Sequence, residues 1–238
     1  FRTPSTMSFN GVGALNQVDF ASEAVKKGST TVGLRSATHA VIISINSPSS
    51  PLCAAPKEVY ELDTHCGVAT VGLQSDGQLL ARDLNTECST WRQQYNGPIP
   101  MAALTEKIQL KLQERTQQYG DRPVGVGMVI AGYDNNGPHI LRCDPSGAVT
   151  EVQQLCIGAH SELVNSALEG LAGQNGNYNA GGLITSAITA LTFGRGEAFT
   201  EKCINIAIVG KDTPFKIMTA NEVKDELSVF TTVHRKPF

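Results

Sequence analysis

Gln17-Val18-Asp19-Phe20-Ala21-Ser22-Glu23-Ala24-Val25-Lys26-Lys27-Gly28-Ser29-Thr30-Thr31-Val32-Gly33 changes its hydrophobic period halfway along. Up to Lys27, the apolar residues Val18, Ala21, Ala24 and Val25 recur at spacings of three and four, which places them on one stripe of a helix. Lys26 and Lys27 in the last turn, with Gly28 behind them, are stop signals. From Thr31 to Leu34 the chain is β-branched or apolar and reads as a strand. A short first helix, over about residues 17 to 27, therefore hands the chain directly to a sheet.

Downstream, Val41 to Ile45, Val59 to Leu62 and Val68 to Leu73 are further short apolar runs broken by Ser, Pro and Gly, hence strands. Ser75 and Asp76 are placed to cap a helix carrying Leu80, Leu84, Cys88, Trp91 and Tyr95 at helical spacing. Past Pro98 and Pro100, the residues Met101, Leu104, Ile108 and Leu112 repeat that pattern. Val124, Val126, Met128 and Ile130 then alternate with Gly125, Gly127, Val129 and Ala131, and Asp134 to Gly137 spells a hairpin turn before His139 to Arg142. Val149 to Val152 and Leu155 to Ile157 continue this second strand group. Leu163, Ala167, Leu168 and Leu171 mark a third long helix, and Ile184, Ala187, Ile188 and Leu191 a fourth, separated by a Gly/Asn-rich loop over 173–182. Strands at Ile204 to Ile208 and Phe215 to Met218 and a helix through Val223, Leu227 and Phe230 end the chain. Blocks of strands alternate with pairs of helices, without the one-strand, one-helix rhythm of a doubly wound sheet. The pattern predicts an α+β fold: two antiparallel sheets packed together with helix pairs outside, a four-layer αββα sandwich.

Composition narrows the function. The 238 residues are 41% hydrophobic and 17% charged, which suits one folded domain. Nineteen basic against 22 acidic side chains give a formal charge of −3, and no run of Lys or Arg tracks one face. Nucleic acid is therefore not an expected partner. No apolar stretch approaches the roughly 18 residues of a membrane span, and Pro4, Ser5, Thr6 and Ser8 do not make the apolar core of a signal peptide. Cys53, Cys66, Cys88, Cys143, Cys156 and Cys203 are scattered singly and read as reduced thiols. A soluble protein of the cytoplasm or nucleus is expected.

The quoted stretch resembles the signature of proteasome α subunits, whose first helix usually reads Q-V-E-Y-A-x-E-A-V before G-S-T. A second block is similar to the family's R-P-Y-G-V and A-G-Y-D-x-x-G-P: Arg122-Pro123-Val124-Gly125-Val126, then Ala131-Gly132-Tyr133-Asp134 and Gly137-Pro138. Thr38-His39-Ala40-Val41, Glu87-Cys88 and Ile208-Val209-Gly210-Lys211-Asp212 look most like its type-1 (α6) branch. The resemblance runs from about residue 9 to the end and implies the amino-terminal nucleophile hydrolase fold.

Active members of that fold use a Thr freed at the chain start as nucleophile, a Lys that lowers its pKa and an Asp that orients the pair. Laid on the family pattern, Ser29 stands at the nucleophile position, Ile45 at the Asp and Glu58 at the Lys, so all three requirements fail. Gly28-Ser29-Thr30 looks like a self-cleavage junction, and an active hydrolase using Ser29 after processing at Gly28 is the alternative reading. An internal Ser without a base is, however, a poor nucleophile. Elsewhere, Gly11-x-Gly13 starts a dinucleotide fingerprint, but Asn16 replaces the third Gly and no strand precedes it. His39, His65, His139, His160 and His234 share no i, i+4 spacing, although His65 adjoins Cys66. Asp134-Asn135-Asn136-Gly137 lacks the ligands of a calcium loop. No catalytic residue, metal or cofactor is expected.

The resemblance then implies a subunit that works through its surfaces: a non-catalytic member of a hetero-oligomeric α ring in the 20S core particle. Its expected partners are neighbouring α subunits, the β ring and regulatory particles that feed intracellular protein degradation. Residues 1–16 correspond to the gate segment and 17–238 to the single αββα domain, with Phe9, Gly13, Gln17, Asp19 and Phe20 at the gate and ring interface. Here the chain departs from its family. It reads Asn10-Gly11-Val12-Gly13-Ala14 where Ser-Pro-x-Gly-Arg is usual, and Phe20 where a Tyr is usual. Gly11 in place of Pro is expected to loosen the segment. The pocket that receives regulator C-termini through a Lys carries Glu58 instead, with Lys57 one residue earlier and hence on the opposite face of a strand.

Overall fold

A computed structural model of the chain describes residues 9–11, 13–46, 52, 56–118, 121–171, 178–195 and 203–234. Residues 1–8 and Val12 of the expected gate segment, Cys53, and residues 173–177 of the Gly/Asn-rich loop lie outside the described residues. In chain order the elements are α1 (Asn16–Lys26), β1 (Thr30–Arg35), β2 (His39–Ile45), β3 (Val59–Asp63), β4 (Cys66–Gly72), α2 (Gln74–Tyr95), α3 (Met101–Gln117) and β5 (Val126–Asp134). They continue with β6 (Gly137–Cys143), β7 (Val149–Val152), β8 (Gln154–Ile157), α4 (Ser161–Leu171), α5 (Ala180–Arg195), β9 (Ile204–Gly210), β10 (Thr213–Ile217) and α6 (Ala220–His234).

The strands form two five-stranded sheets, ordered β10-β9-β2-β1-β8 and β3-β4-β5-β6-β7, with antiparallel neighbours throughout. Their side-chain alternation builds the layers. On β2, Val41, Ile43 and Ile45 join the apolar cluster under α4, α5 and α6, while Ala40 and Ile42 turn to the cluster between the sheets. On β5, Met128 and Ile130 pack under α2 and α3, while Val129 and Ala131 turn inward. The result is the expected αββα sandwich. Its inner layer mixes small residues, Ala40, Ala69, Ala131 and Ala207, with larger ones such as Ile42, Ile140 and Phe215. A Cβ on Gly33 would stand 2.7 Å from Val129 Cγ1, and one on Gly67 would strike the Phe215 ring.

Two expectations are corrected, and a third holds for a different reason. Val149 to Val152 and Leu155 to Ile157 do not continue one strand group. β7 pairs with β6, whereas β8 crosses to β1 with Gly33 opposite Leu155. The step occurs at Gln153, whose carbonyl accepts from Arg35 N–H at 2.9 Å. Ser75 and Asp76 do not cap α2, which begins behind Leu73 with no side-chain cap. Asp76 instead accepts from Arg122 (2.6 and 2.9 Å) and from Gly125 N–H (3.1 Å), tying α2 to the entry of β5. Gly28 follows α1 as expected, but for lack of space: a Cβ there would lie 2.5 Å from the Gly72 nitrogen.

Asp134 shows how much one turn residue can hold. It accepts from Asn136 N–H at 2.8 Å within the hairpin and from Met101 N–H at 3.2 Å at the start of α3, and it meets His139 Nε2 at 3.0 Å. Burial pushes its carboxyl upward, but these bonds outweigh burial and hold it below the usual range.

Candidate functional site

The three positions aligned with a catalytic trio come together. Ser29 lies between α1 and β1, Ile45 ends β2, and Glu58 leads into β3. With Lys27, Gly28 and His160 they line one open cavity of ≈ 280 Å³ at the strand ends. Registration explains the convergence: Thr30 of β1 pairs with Ile45, and Thr31 with Ser44. His160, held at a positive φ of 59° just before α4, lies exposed on the same cavity.

The chemistry of this cavity is that of hydroxyls around a carboxylate. Thr31 Oγ1 donates to Ser44 Oγ at 3.0 Å, and Ser44 Oγ donates to Glu58 Oε2 at 2.8 Å. Burial pushes the Glu58 carboxyl above the usual carboxylate range, and the Ser29 and Ser44 hydroxyls draw it partway back. Ser29 acts only as a nearby dipole, because its buried Oγ makes no hydrogen bond of good geometry among the described residues. Ile45, 2% exposed, offers no polar atom. Glu58, when ionised, is an acceptor and cannot act as the cation that would lower a hydroxyl's pKa. The Gly28 carbonyl before Ser29 accepts from Ala159 N–H at 3.0 Å.

Lys57 does not take the place of the missing lysine. It is exposed and turned outward, its Nζ 5.3 Å from the Tyr60 ring centroid, while Tyr60 Oη donates back to the Lys57 carbonyl at 2.6 Å. Sequence reasoning missed Ser44 and Thr31, which share the burden of the Glu58 charge. The available signal was Ser44 itself, the one polar residue within the run Val41 to Ile45.

At the other candidate site, Phe9, Gly13, Gln17, Asp19 and Phe20 are all exposed, the two rings at 73% and 65%. The opposite side of α1 is buried through Ala21 and Val25, and Val25 packs over the bare face of Gly127. Where the loss of a Pro predicts looseness, Asn10 closes a turn. Its N–H donates to the Ala14 carbonyl and its Oδ1 accepts from Ala14 N–H, each at 2.9 Å, and Gly13 takes a φ of 79°.

His65 and Cys66 do not converge. His65 Nε2 meets the Ile99 carbonyl at 2.8 Å, while Cys66 faces Cys88 in the core under α2. Among the described residues no three His, Cys, Asp or Glu side chains are placed to hold a metal ion, and no helix is long and apolar enough to cross a membrane.

A family model described as "Proteasome subunit" matches residues 25–209, from the end of α1 through β9. The chain belongs to the proteasome subunit family. Among its relatives, proteasome subunit alpha type-1 of Caenorhabditis elegans is 44% identical over 222 residues, covering 92% of this chain and 85% of that protein. Proteasome subunit alpha type-6 of Saccharomyces cerevisiae is 38% identical over 223 residues, covering 92% and 94%. Similarity to type-1 and type-6 α subunits agrees with the branch indicated by the smaller sequence echoes, and it does not favour the alternative of an active hydrolase.

Proposed function

We propose that this chain is a non-catalytic α-ring subunit of a 20S proteasome core particle, acting in ring assembly, pore gating and regulator docking. The observation that carries the reading is the cavity at Ser29, Ile45 and Glu58. It keeps the place of a catalytic site while lacking the free amine, the base and the cation that the chemistry requires. Phe9 and Phe20, exposed at the start of the chain beside Gln17 and Asp19, supply apolar area for contacts with neighbouring α subunits. The β ring and regulatory particles are the other partners. The setting is ubiquitin-dependent and other intracellular protein degradation in the cytoplasm and nucleus, in a complex whose proteolysis is done by threonine nucleophiles on other chains.

Purification of the tagged chain tests this directly. It is expected to bring down a set of other α-type chains and β chains, to retain residues before Ser29 by mass spectrometry, and to resist electrophiles that trap terminal nucleophiles. Labelling of Ser29, or a ring made of this chain alone in cells, overturns the reading. Deleting residues 1 to 13 is expected to raise basal peptide hydrolysis by the assembled particle, and unchanged hydrolysis removes the gating role. A carboxylate at position 58 repels an anionic tail, so a regulator C-terminus is expected to leave this pocket empty. Ordered tail density there contradicts that part.

A further inference from the structure

His139 lies on β6 between two carboxylates, its Nε2 at 3.0 Å from Asp134 Oδ1 and its Nδ1 at 2.9 Å from Glu151 Oε1. Each of those oxygens accepts elsewhere as well: Asp134 Oδ1 from Asn136 N–H at 2.8 Å, and Glu151 Oε1 from Arg35 Nη1 at 2.7 Å. An ionised carboxylate only accepts, and a neutral imidazole has a single N–H, so both bonds stand together only when the ring carries two protons. A neutral ring turns the lone pair of one nitrogen toward an acceptor at hydrogen-bond distance, and that contact must open.

The surroundings decide which one opens. The Asp134 side chain is 13% exposed and the Glu151 side chain 44%. Water can replace the ring at Glu151, which also keeps Arg35, whereas a partner lost at Asp134 is poorly replaced. The neutral ring therefore keeps its proton on Nε2. Among the described residues, the charged side chains bonded within this group are Asp134 from β5, Glu151 from β7 and Arg35 from β1, and α3 adds the Met101 N–H on Asp134. The other titratable side chains nearby are engaged elsewhere. Tyr133 on β5 packs on the cluster between the sheets, Arg142 on β6 is bonded to Asp144, His39 meets Thr38 Oγ1 and His65 meets the Ile99 carbonyl.

We propose that His139 is a pH-operated clasp on the edge strand β7. As imidazolium it ties Glu151 to Asp134; as neutral imidazole it holds Asp134 and releases Glu151. β7 is the last strand of its sheet, and the chain leaves it through Gln153 for β8 in the other sheet. The clasp thus sets how firmly that edge is held where the chain changes sheets. The inference rests on side-chain geometry within this chain and not on the ring-subunit reading.

Ring 15N NMR of the full chain across a pH titration tests it, together with amide hydrogen exchange normalised at each pH to the unstructured rate. On the acid side of the His139 titration both ring nitrogens are expected to be protonated. On the alkaline side Nδ1 alone is expected to be bare, and protection of the β7 amides to fall about threefold or more while the Met101 and Asn136 amides keep theirs. His139→Gln is expected to assign the ring signals by their loss and to make β7 protection level across the same range. In Glu151→Gln, a half-exposed substitution, the amide can accept from the charged ring or donate to the neutral one, so the ring still titrates while β7 protection stays level. Loss of the Nε2 proton first, unchanged β7 protection in the parent chain, or a fall that persists in either variant overturns the proposal.

Discussion

Replacing Gly67 with Ala tests whether the close approach of Phe215 to β4 leaves room for one more carbon. Gly67 lies in β4 at an ordinary negative or extended φ, so an alanine costs no backbone strain there. Without a steric conflict, Gly to Ala inside a strand stabilises by about 0.5–1 kcal/mol through the reduced freedom of the unfolded chain. The new Cβ, however, meets three atoms of the Phe215 ring from the opposite sheet, and that ring is only 4% exposed. A buried ring cannot swing aside as a lysine tail can, so β10 must lift or the ring must leave its rotamer. Overpacking of this kind costs about 1–3 kcal/mol. We expect a net loss of about 2 kcal/mol in urea unfolding of the purified chain, or a Tm lower by roughly 4–8 °C. The double variant Gly67→Ala/Phe215→Leu is expected to recover at least half of that loss relative to Phe215→Leu alone, because the smaller side chain vacates the contested volume. A neutral or stabilising Gly67→Ala, or an equal loss in both backgrounds, refutes the reasoning.

Three further outcomes follow from the polar contacts. Asn165 on α4 holds both backbone groups of Cys156 on the edge strand β8, accepting from its N–H at 2.7 Å and donating to its carbonyl at 3.0 Å, so Asn165→Ala is expected to cost about 1–3 kcal/mol. Hydrogen exchange at Cys156 should speed up, and unchanged protection would show that the strand does not need its clasp. The Arg122 guanidinium holds the Asp76 carboxyl below its usual range, so the stabilisation is present above the ordinary carboxylate pKa and is lost as pH falls through the lowered folded value. Asp76→Asn is expected to lose about 1–2 kcal/mol near neutrality, discounted for the exposure of Arg122, and to match the parent chain in acid. A gap that persists in acid contradicts this. For Glu58 the sign reverses: burial raises the folded pKa, so stability is greatest below the unfolded value and falls as pH rises through the raised one. Glu58→Gln is expected to equal the parent below about pH 4 and to melt progressively higher above it. A constant or negative difference excludes an uncompensated charge.

The layers were legible because alternation is a local property. Around β5, Val124, Val126, Met128 and Ile130 alternate with Gly125, Gly127, Val129 and Ala131, and Leu80, Leu84 and Cys88 state one buried stripe of α2. The partner of β8 was not legible, because Leu155, Cys156 and Ile157 are all apolar and carry no face preference that assigns them to one sheet. Asp76 misled for a similar reason: an acidic residue near a helix start fits a cap, and only the folded chain brings Arg122 and Gly125 to it. At the site, strand parity was the basis for setting Lys57 apart from Glu58, but both residues lie just before β3, and their directions follow from contacts with Tyr60 and Ser44. The Thr31–Ser44 relay was not legible, since it depends on the register of β1 against β2.

The fold and the candidate site draw on different residues, which explains how this frame stands without the chemistry. The sheets approach closely at Gly33 and Gly67, and the outer layers are filled by the clusters under the helices. Of the trio, only Ile45 belongs to a cluster, and there it is an asset to packing. Among the described residues, the buried Ser29 hydroxyl makes no bond of good geometry, and no basic side chain offsets the burial of Glu58. Both weaken the folded state relative to simple isosteres such as Ala and Gln. That cost falls at an open cavity and not in the core clusters, so the frame holds in spite of it.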